Sequence, residues 1–172
     1  SNMYLSSGAC RLPDLKKAGI TRMGIGVDGA ASSNSANMME EIRCAYLLNR
    51  LSWGDDSLTA ADILYMATAG GAKALGRDDI GYLAPGMAAD LVLMDWNQLQ
   101  YAGGCYDPVD CIVLSGDARM VNQVMVNGEI VVKDGKLTKV DEDQKRDYVN
   151  EIGRELLTRA SARIEGLKQD LY

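Results

Sequence analysis

The apolar positions of this chain change their period twice. Up to about residue 77 they recur at helical spacing, broken by one continuous run; from about residue 80 they fall into short runs between glycine turns. From Asp141 they return to helical spacing in a highly charged tail. In residues 9–19, ACRLPDLKKAG, the positions Leu12, Leu15 and Ala18 predict a helix, with Pro13 in its first turn and Gly19 as its stop. Ile20 to Val27 follow as an apolar run that predicts a short buried strand. The loop from Gly29 to Ala36 is small and polar.

Asn37-Met38-Met39-Glu40 reads as a capping box opening a helix to about Arg50, with Met38, Ile42, Ala45 and Leu48 on one face. Thr59-Ala60-Ala61-Asp62 opens another helix in the same way, carrying Ile63, Met66 and Ala67. Gly70-Gly71 is expected to interrupt it, leaving one further turn that stops at Gly76.

The second stretch predicts mostly β structure. Leu91–Met94 is a strand, and Val121–Val126 and Glu129–Val132 form a hairpin around Asn127-Gly128, a pair that suits a type I′ turn. Lys133 to Lys136 make a further tight turn, Pro85-Gly86 a type II turn, and Asp90 fixes backbone at a strand start. The tail predicts one helix with a buried stripe through Tyr148, Ile152, Leu156, Leu157 and Ile164. The expected organisation is therefore residues 1–79, 80–140 and 141–172.

Composition narrows the chemistry. The 172 residues contain no His and no Phe, nine Met and eighteen Gly, and carry a net charge of −6. The core must be aliphatic and Met-rich. The acidic balance argues against nucleic-acid and anionic membrane partners, which need clustered Lys and Arg. Cys10, Cys44, Cys105 and Cys111 lack paired spacing, which argues against a zinc site built from them, and are expected as reduced thiols in a cytoplasmic protein.

The sharpest chemical feature is Asp28, where the apolar run meets a glycine-rich loop. A carboxylate in that position is a common way to present a metal ligand or a general base. Zinc and iron, however, favour imidazole beside such an oxygen, and this chain offers none.

Two segments carry a resemblance. GVDGAASSNSANMMEEIR (26–43) and GYLAPGMAADLVLMD (81–95) together resemble the C-terminal part of the amidohydrolase superfamily, metal-dependent hydrolases on a (β/α)₈ TIM barrel. Within it they are most similar to 8-oxoguanine deaminases and hydroxydechloroatrazine ethylaminohydrolases, among the deaminases and chlorohydrolases of N-heterocycles. The resemblance implies an α/β fold: the C-terminal portion of the barrel, a small β-sandwich segment and a terminal helix. It implies that Asp28 ends the eighth barrel strand, as both ligand of a divalent metal (zinc or iron) and proton shuttle. Ser32 and Asn34 would contact substrate at the barrel mouth, and Ser1-Asn2-Met3 would end the seventh strand. The family's HxH on the first strand and its single histidines on the fifth and sixth would lie upstream of residue 1.

The implied reaction is hydrolytic deamination of a purine- or triazine-like N-heterocycle by a longer, homo-oligomeric parent. These residues alone are expected to be inactive. Ser1-Asn2 fits a cloning remnant ahead of Met3 or a cut at a native Ser-Asn-Met. A nucleoside deaminase or triazine chlorohydrolase stays open as the parent. So does a non-enzymatic fragment that self-associates through an exposed strand.

Overall fold

The computed structural model describes residues 2–169, with side-chain surroundings through residue 164. A helical layer comes first. Helix α1 (Leu12–Lys17) places Pro13 in its first turn and ends where Gly19 turns left-handed, φ 76°. Helix α2 (Met38–Trp53) is capped by Asn37, whose side-chain oxygen accepts from the Met39 amide at 3.0 Å. The expected capping box is incomplete there. The Glu40 carboxylate accepts instead from the Asn37 side-chain amide and from the Ser35 hydroxyl, at 3.1 and 2.6 Å.

Helix α3 (Ala60–Ala67) has the full box. The Thr59 hydroxyl accepts from the Asp62 amide at 3.1 Å, while the Asp62 carboxylate accepts from the Thr59 amide at 2.9 Å. Asp62 also pairs with Lys16 of α1 at 2.6 Å. Burial pushes its carboxyl up, but the Lys16 ammonium and the two Thr59 bonds outweigh burial and hold it below the ordinary carboxylate range.

The core sits between α2, α3 and a third helix, α5 (Pro108–Ser115). Met39, Ile42 and Tyr46 from α2, Leu58, Ile63 and Met66 around α3, and Val113 from α5 form one buried cluster. Ile63 and Val113 are 0% exposed. The buried line on α2 runs through Met39, Ile42, Tyr46 and Asn49, one residue over from the expected line at Met38, Ala45 and Leu48, which are half-buried. Helix α5 corrects the expectation of mostly β structure after residue 80. Asp107 caps it by accepting from the Asp110 amide at 3.1 Å, and Pro108 occupies its first turn.

The expected break at Gly70-Gly71 is also corrected. The chain leaves α3 at Thr68 and re-enters helix α4 (Ala69–Ala74), so both glycines lie inside a helix. Their purpose is contact: a Cβ on Gly70 would stand 2.6 Å from the Met23 carbonyl, and one on Gly24 2.9 Å from the Gly71 Cα. Backbone therefore lies directly against backbone where the apolar run crosses α4. That run is not a ladder strand, nor is it buried: Ile20 is exposed and Met23, Ile25 and Val27 are half-buried. The Ile25 amide donates to the Met66 carbonyl at 3.3 Å, and no strand flanks residues 20–27 among those described. Periodicity and composition had marked a buried strand; what is missing is a neighbouring strand to pair with.

The four strands β1 (Leu91–Met94), β2 (Val121–Val126), β3 (Glu129–Lys133) and β4 (Lys136–Leu137) form one antiparallel sheet in chain order. Asn127 and Gly128 both have positive φ, 48° and 83°, as a type I′ turn requires. The Asp90 carboxylate accepts from the Asn127 amide at 2.7 Å and so fixes that turn to the start of β1. The type II turn is present too, with Gly86 at φ 90° and the Met87 amide donating to the Ala84 carbonyl at 3.2 Å. A second sheet that would complete a sandwich is not formed among the described residues, and Val92, Leu93 and Val126 remain exposed.

Helix α6 (Glu142–Gln169) follows, and the stripe expected to be buried on it is exposed. Residues 170–172 and Ser1, included in the expected tail helix and Ser-Asn-Met stretch, lie outside the described residues. No helix among the described residues is long and apolar enough to cross a membrane.

Candidate functional site

The apolar run ends at Asp28, which adopts a left-handed backbone, φ 63°. Among residues other than glycine, Asp and Asn tolerate this region best, because a short polar side chain can bond nearby backbone. Here both carboxylate oxygens are held: Oδ1 accepts from the Gly29 amide at 2.7 Å, and Oδ2 accepts from the Ser32 hydroxyl at 2.7 Å. The Ser32 oxygen also lies 3.2 Å from the Gly29 carbonyl, but a hydroxyl has one proton, and the shorter contact is the one to the carboxylate. The turn beneath is closed by the Ser32 and Ser33 amides, both donating to the Gly29 carbonyl at 3.0 Å.

Of the residues singled out in the sequence, Asp28 and Ser32 are therefore brought into contact. Asn34 lies exposed two residues further on, in the bend that leads towards the α2 cap. A carboxylate held at both oxygens has a fixed orientation, which a proton carrier or a metal ligand needs.

The carboxylates at the start of α2 have a structural duty. Glu40 is spent on Asn37 and Ser35 as described above. Glu41 lies beside Cys44, whose thiol is pushed up first by burial and second by the Glu41 charge, making it a poor nucleophile. Cys10, Cys44, Glu41 and the buried Asn49 line a groove of about 330 Å³ along Gly24–Gly26, a juxtaposition no local sequence signal foretold. A second, larger groove of about 790 Å³ is apolar and lies between β1, β2 and the faces of α2 and α3.

The donor set does not complete a metal centre. Zinc takes about four N, S or O ligands. Among the described residues, no three His, Cys, Asp or Glu side chains converge to hold an ion, and the whole sequence lacks histidine. Asp28 offers one oxygen ligand, and among the described residues no cluster of further ligands stands with it.

Comparison with known proteins gives this partial site its context. The amidohydrolase family profile matches residues 1–131. A 5-methylthioadenosine/S-adenosylhomocysteine deaminase of Pelotomaculum thermopropionicum is 41% identical over 145 residues, covering 84% of this chain and 33% of that protein. An 8-oxoguanine deaminase of Pseudomonas aeruginosa is 43% identical over 141 residues, covering 82% and 31%. The crystal structure of an adenosine deaminase from Xanthomonas campestris with bound zinc superposes with a TM-score of 0.84 at 30% identity, covering 91% of this chain and 36% of the other. The chain thus spans about a third of the length of the curated relatives it matches. With a family match over residues 1–131 and this degree of identity across most of its length, the chain belongs to the amidohydrolase family.

Proposed function

We propose that the whole protein to which these residues belong is a hydrolase that removes the exocyclic amine from a purine-type ring, with Asp28 as its proton carrier. The observation that carries the reading is the Asp28 carboxylate, held at both oxygens on a left-handed backbone at the end of the apolar run. Left-handed non-glycine residues cost about 1–3 kcal/mol and persist where the surroundings over-determine them, often at active sites. The names of the relatives, deaminases of adenosine-type and 8-oxoguanine substrates, support the substrate class.

In this reading water attacks the ring carbon that bears the amine. Asp28 accepts a proton from the attacking water, the carbon–nitrogen bond breaks, and Asp28 returns the proton to the departing nitrogen. The products are ammonia and a ring carbonyl. The Ser32 hydroxyl positions the carboxylate for this exchange, and Asn34 is the proposed substrate contact on the same loop. Any zinc or iron centre would take one oxygen from Asp28, and its imidazoles would have to come from chain outside residues 1–172. Residues 20–27 are read as a strand of a barrel whose flanking strands likewise lie outside residues 1–172, and β1–β4 as one sheet of the adjoining sandwich.

The test is steady-state turnover of the full-length protein with adenosine-type and guanine-type substrates. Asp28→Ala is expected to lower kcat by about 10²- to 10⁴-fold, the usual worth of a positioned acid–base group. Retained activity in that variant, or a full-length protein that deaminates neither substrate type, overturns the proposal.

A further inference from the structure

The loop between Asp28 and α2 is bracketed by two left-handed residues that are not glycine, Asp28 at φ 63° and Ala36 at φ 46°. Asp28 holds its own conformation, since its carboxylate accepts from the Gly29 amide and the Ser32 hydroxyl, both at 2.7 Å. Ala36 has no side-chain polar atom with which to do the same. The other described non-glycine residues at positive φ are Ser6, Asn127 and Asp134, all polar. An alanine there is strained and persists only where its surroundings over-determine it.

Glu40 supplies that determination. One of its carboxylate oxygens accepts from the Ser35 hydroxyl at 2.6 Å and the other from the Asn37 side-chain amide at 3.1 Å. The residues on both sides of Ala36 are therefore bonded to one group. Glu40 stands in the first turn of α2, next to the buried Met39, and Asn37 is fixed to the same turn through the Met39 amide at 3.0 Å. The loop thus has two separate clamps. The one at Asp28 closes within residues 28–33, because the Ser32 and Ser33 amides both donate to the Gly29 carbonyl at 3.0 Å. The one at Glu40 ties the far end of the loop to the helical layer. Asn34 lies between them, exposed.

We propose that Glu40 is a positioning residue for substrate binding: it fixes the far end of the loop, and with it Asn34, while the Asp28 clamp fixes the proton carrier. The inference rests on the roles proposed above for Asp28 and Asn34. It separates two quantities that a single rigid loop would join. Releasing the Glu40 clamp frees Asn34 and weakens binding in the ground and transition states alike, which raises KM. The bonds at Asp28 survive, which preserves kcat.

The test is steady-state kinetics of the full-length protein for Glu40→Ala, Glu40→Gln and Ser35→Ala beside Asp28→Asn, with backbone hydrogen exchange of residues 29–37 read in each. Glu40→Ala is expected to raise KM about three- to tenfold, the worth of one or two hydrogen bonds, with kcat little changed and loop exchange faster. Ser35→Ala should act in the same direction while leaving the Asn37 cap of α2 in place. Glu40→Gln should restore the unsubstituted values. Its oxygen accepts from Asn37, and its amide donates to the Ser35 hydroxyl, which can reverse its role. A Gln variant as defective as the Ala variant would assign the effect to charge at the helix start and overturn the proposal. Unchanged KM or unchanged loop exchange in Glu40→Ala overturns it too, as does a kcat that falls as far as KM rises. If Asp28→Asn has lost turnover in that same series, the Asp28 reading stands without this one. A full-length protein that turns over neither substrate type takes both down.

Discussion

The helical layer and the Asp28 run lie against each other, yet they satisfy their needs by different means. Around α2, α3 and α5 the helix starts and the apolar faces are satisfied within the described residues, although Arg43 Nε and Asn49 Oδ1 on α2 are buried without a hydrogen-bond partner. Helix ends are capped by Asn37, Thr59 and Asp107, and Ile63 and Val113 are fully buried between helices. The run from Ile20 to Asp28 has the composition of a buried strand but no strand beside it among the described residues, and its contact with α4 depends on the absence of side chains at Gly24 and Gly70. The first region is built for stability. The second holds one carboxylate at both oxygens and gives the core only the partly buried Met23 and Ile25.

Substitutions can break or sharpen that contrast. The largest effect belongs in the helical layer: Ile63→Ala should destabilise by about 2–5 kcal/mol, from lost transfer energy plus a cavity between α2, α3 and α5, read by denaturant unfolding. At the junction of the two regions, Gly70→Ala drives a methyl into the Met23 carbonyl and should cost about 1–3 kcal/mol. A neutral result in the same unfolding series would show that the run does not rest on α4.

Thr59→Ala removes half of the α3 capping box and should cost about 1 kcal/mol. The Asp62 carboxyl is depressed in the folded chain, so the stability it contributes is present above its unfolded value, near pH 4, and is lost as pH falls through the lower folded value. Asp62→Asn should therefore flatten that acid limb in thermal melts taken across it. The smallest effect is expected at Asp28 itself. Asparagine tolerates the left-handed backbone and can still accept from Gly29 but gives up the carboxylate charge that the Ser32 hydroxyl meets, so on this exposed loop Asp28→Asn should cost no more than about 1 kcal/mol.

What the sequence made legible follows the same division. Asn127-Gly128 and Thr59-x-x-Asp62 were readable because a turn needing two positive φ values and a reciprocal cap are decided within four residues. Asp28 stood out as a candidate for a similar reason, since it stands where an apolar run meets a glycine-rich loop. The Ser32 hydrogen bond was not, because it depends on the left-handed turn at Asp28. Gly70-Gly71 looked like a helix break because glycine usually is one; its real constraint is backbone at Met23, far away in sequence. On α2 two adjacent lines fit the helical period equally well, and only the position of α3 and α5 selected Met39, Tyr46 and Asn49. Helix α5 escaped notice because eight residues carry too little periodicity to stand out among strands.

The central claim is that Asp28 carries a proton in hydrolysis and matters far more to turnover than to the fold. The most direct measurement pairs kcat with thermal melting for Asp28→Asn in the full-length protein. A fall in kcat of about 10²- to 10⁴-fold with the melting temperature lowered by no more than about 4 °C is the predicted result. An Asp28→Asn protein that melts normally and turns over substrate at the parent rate would contradict it.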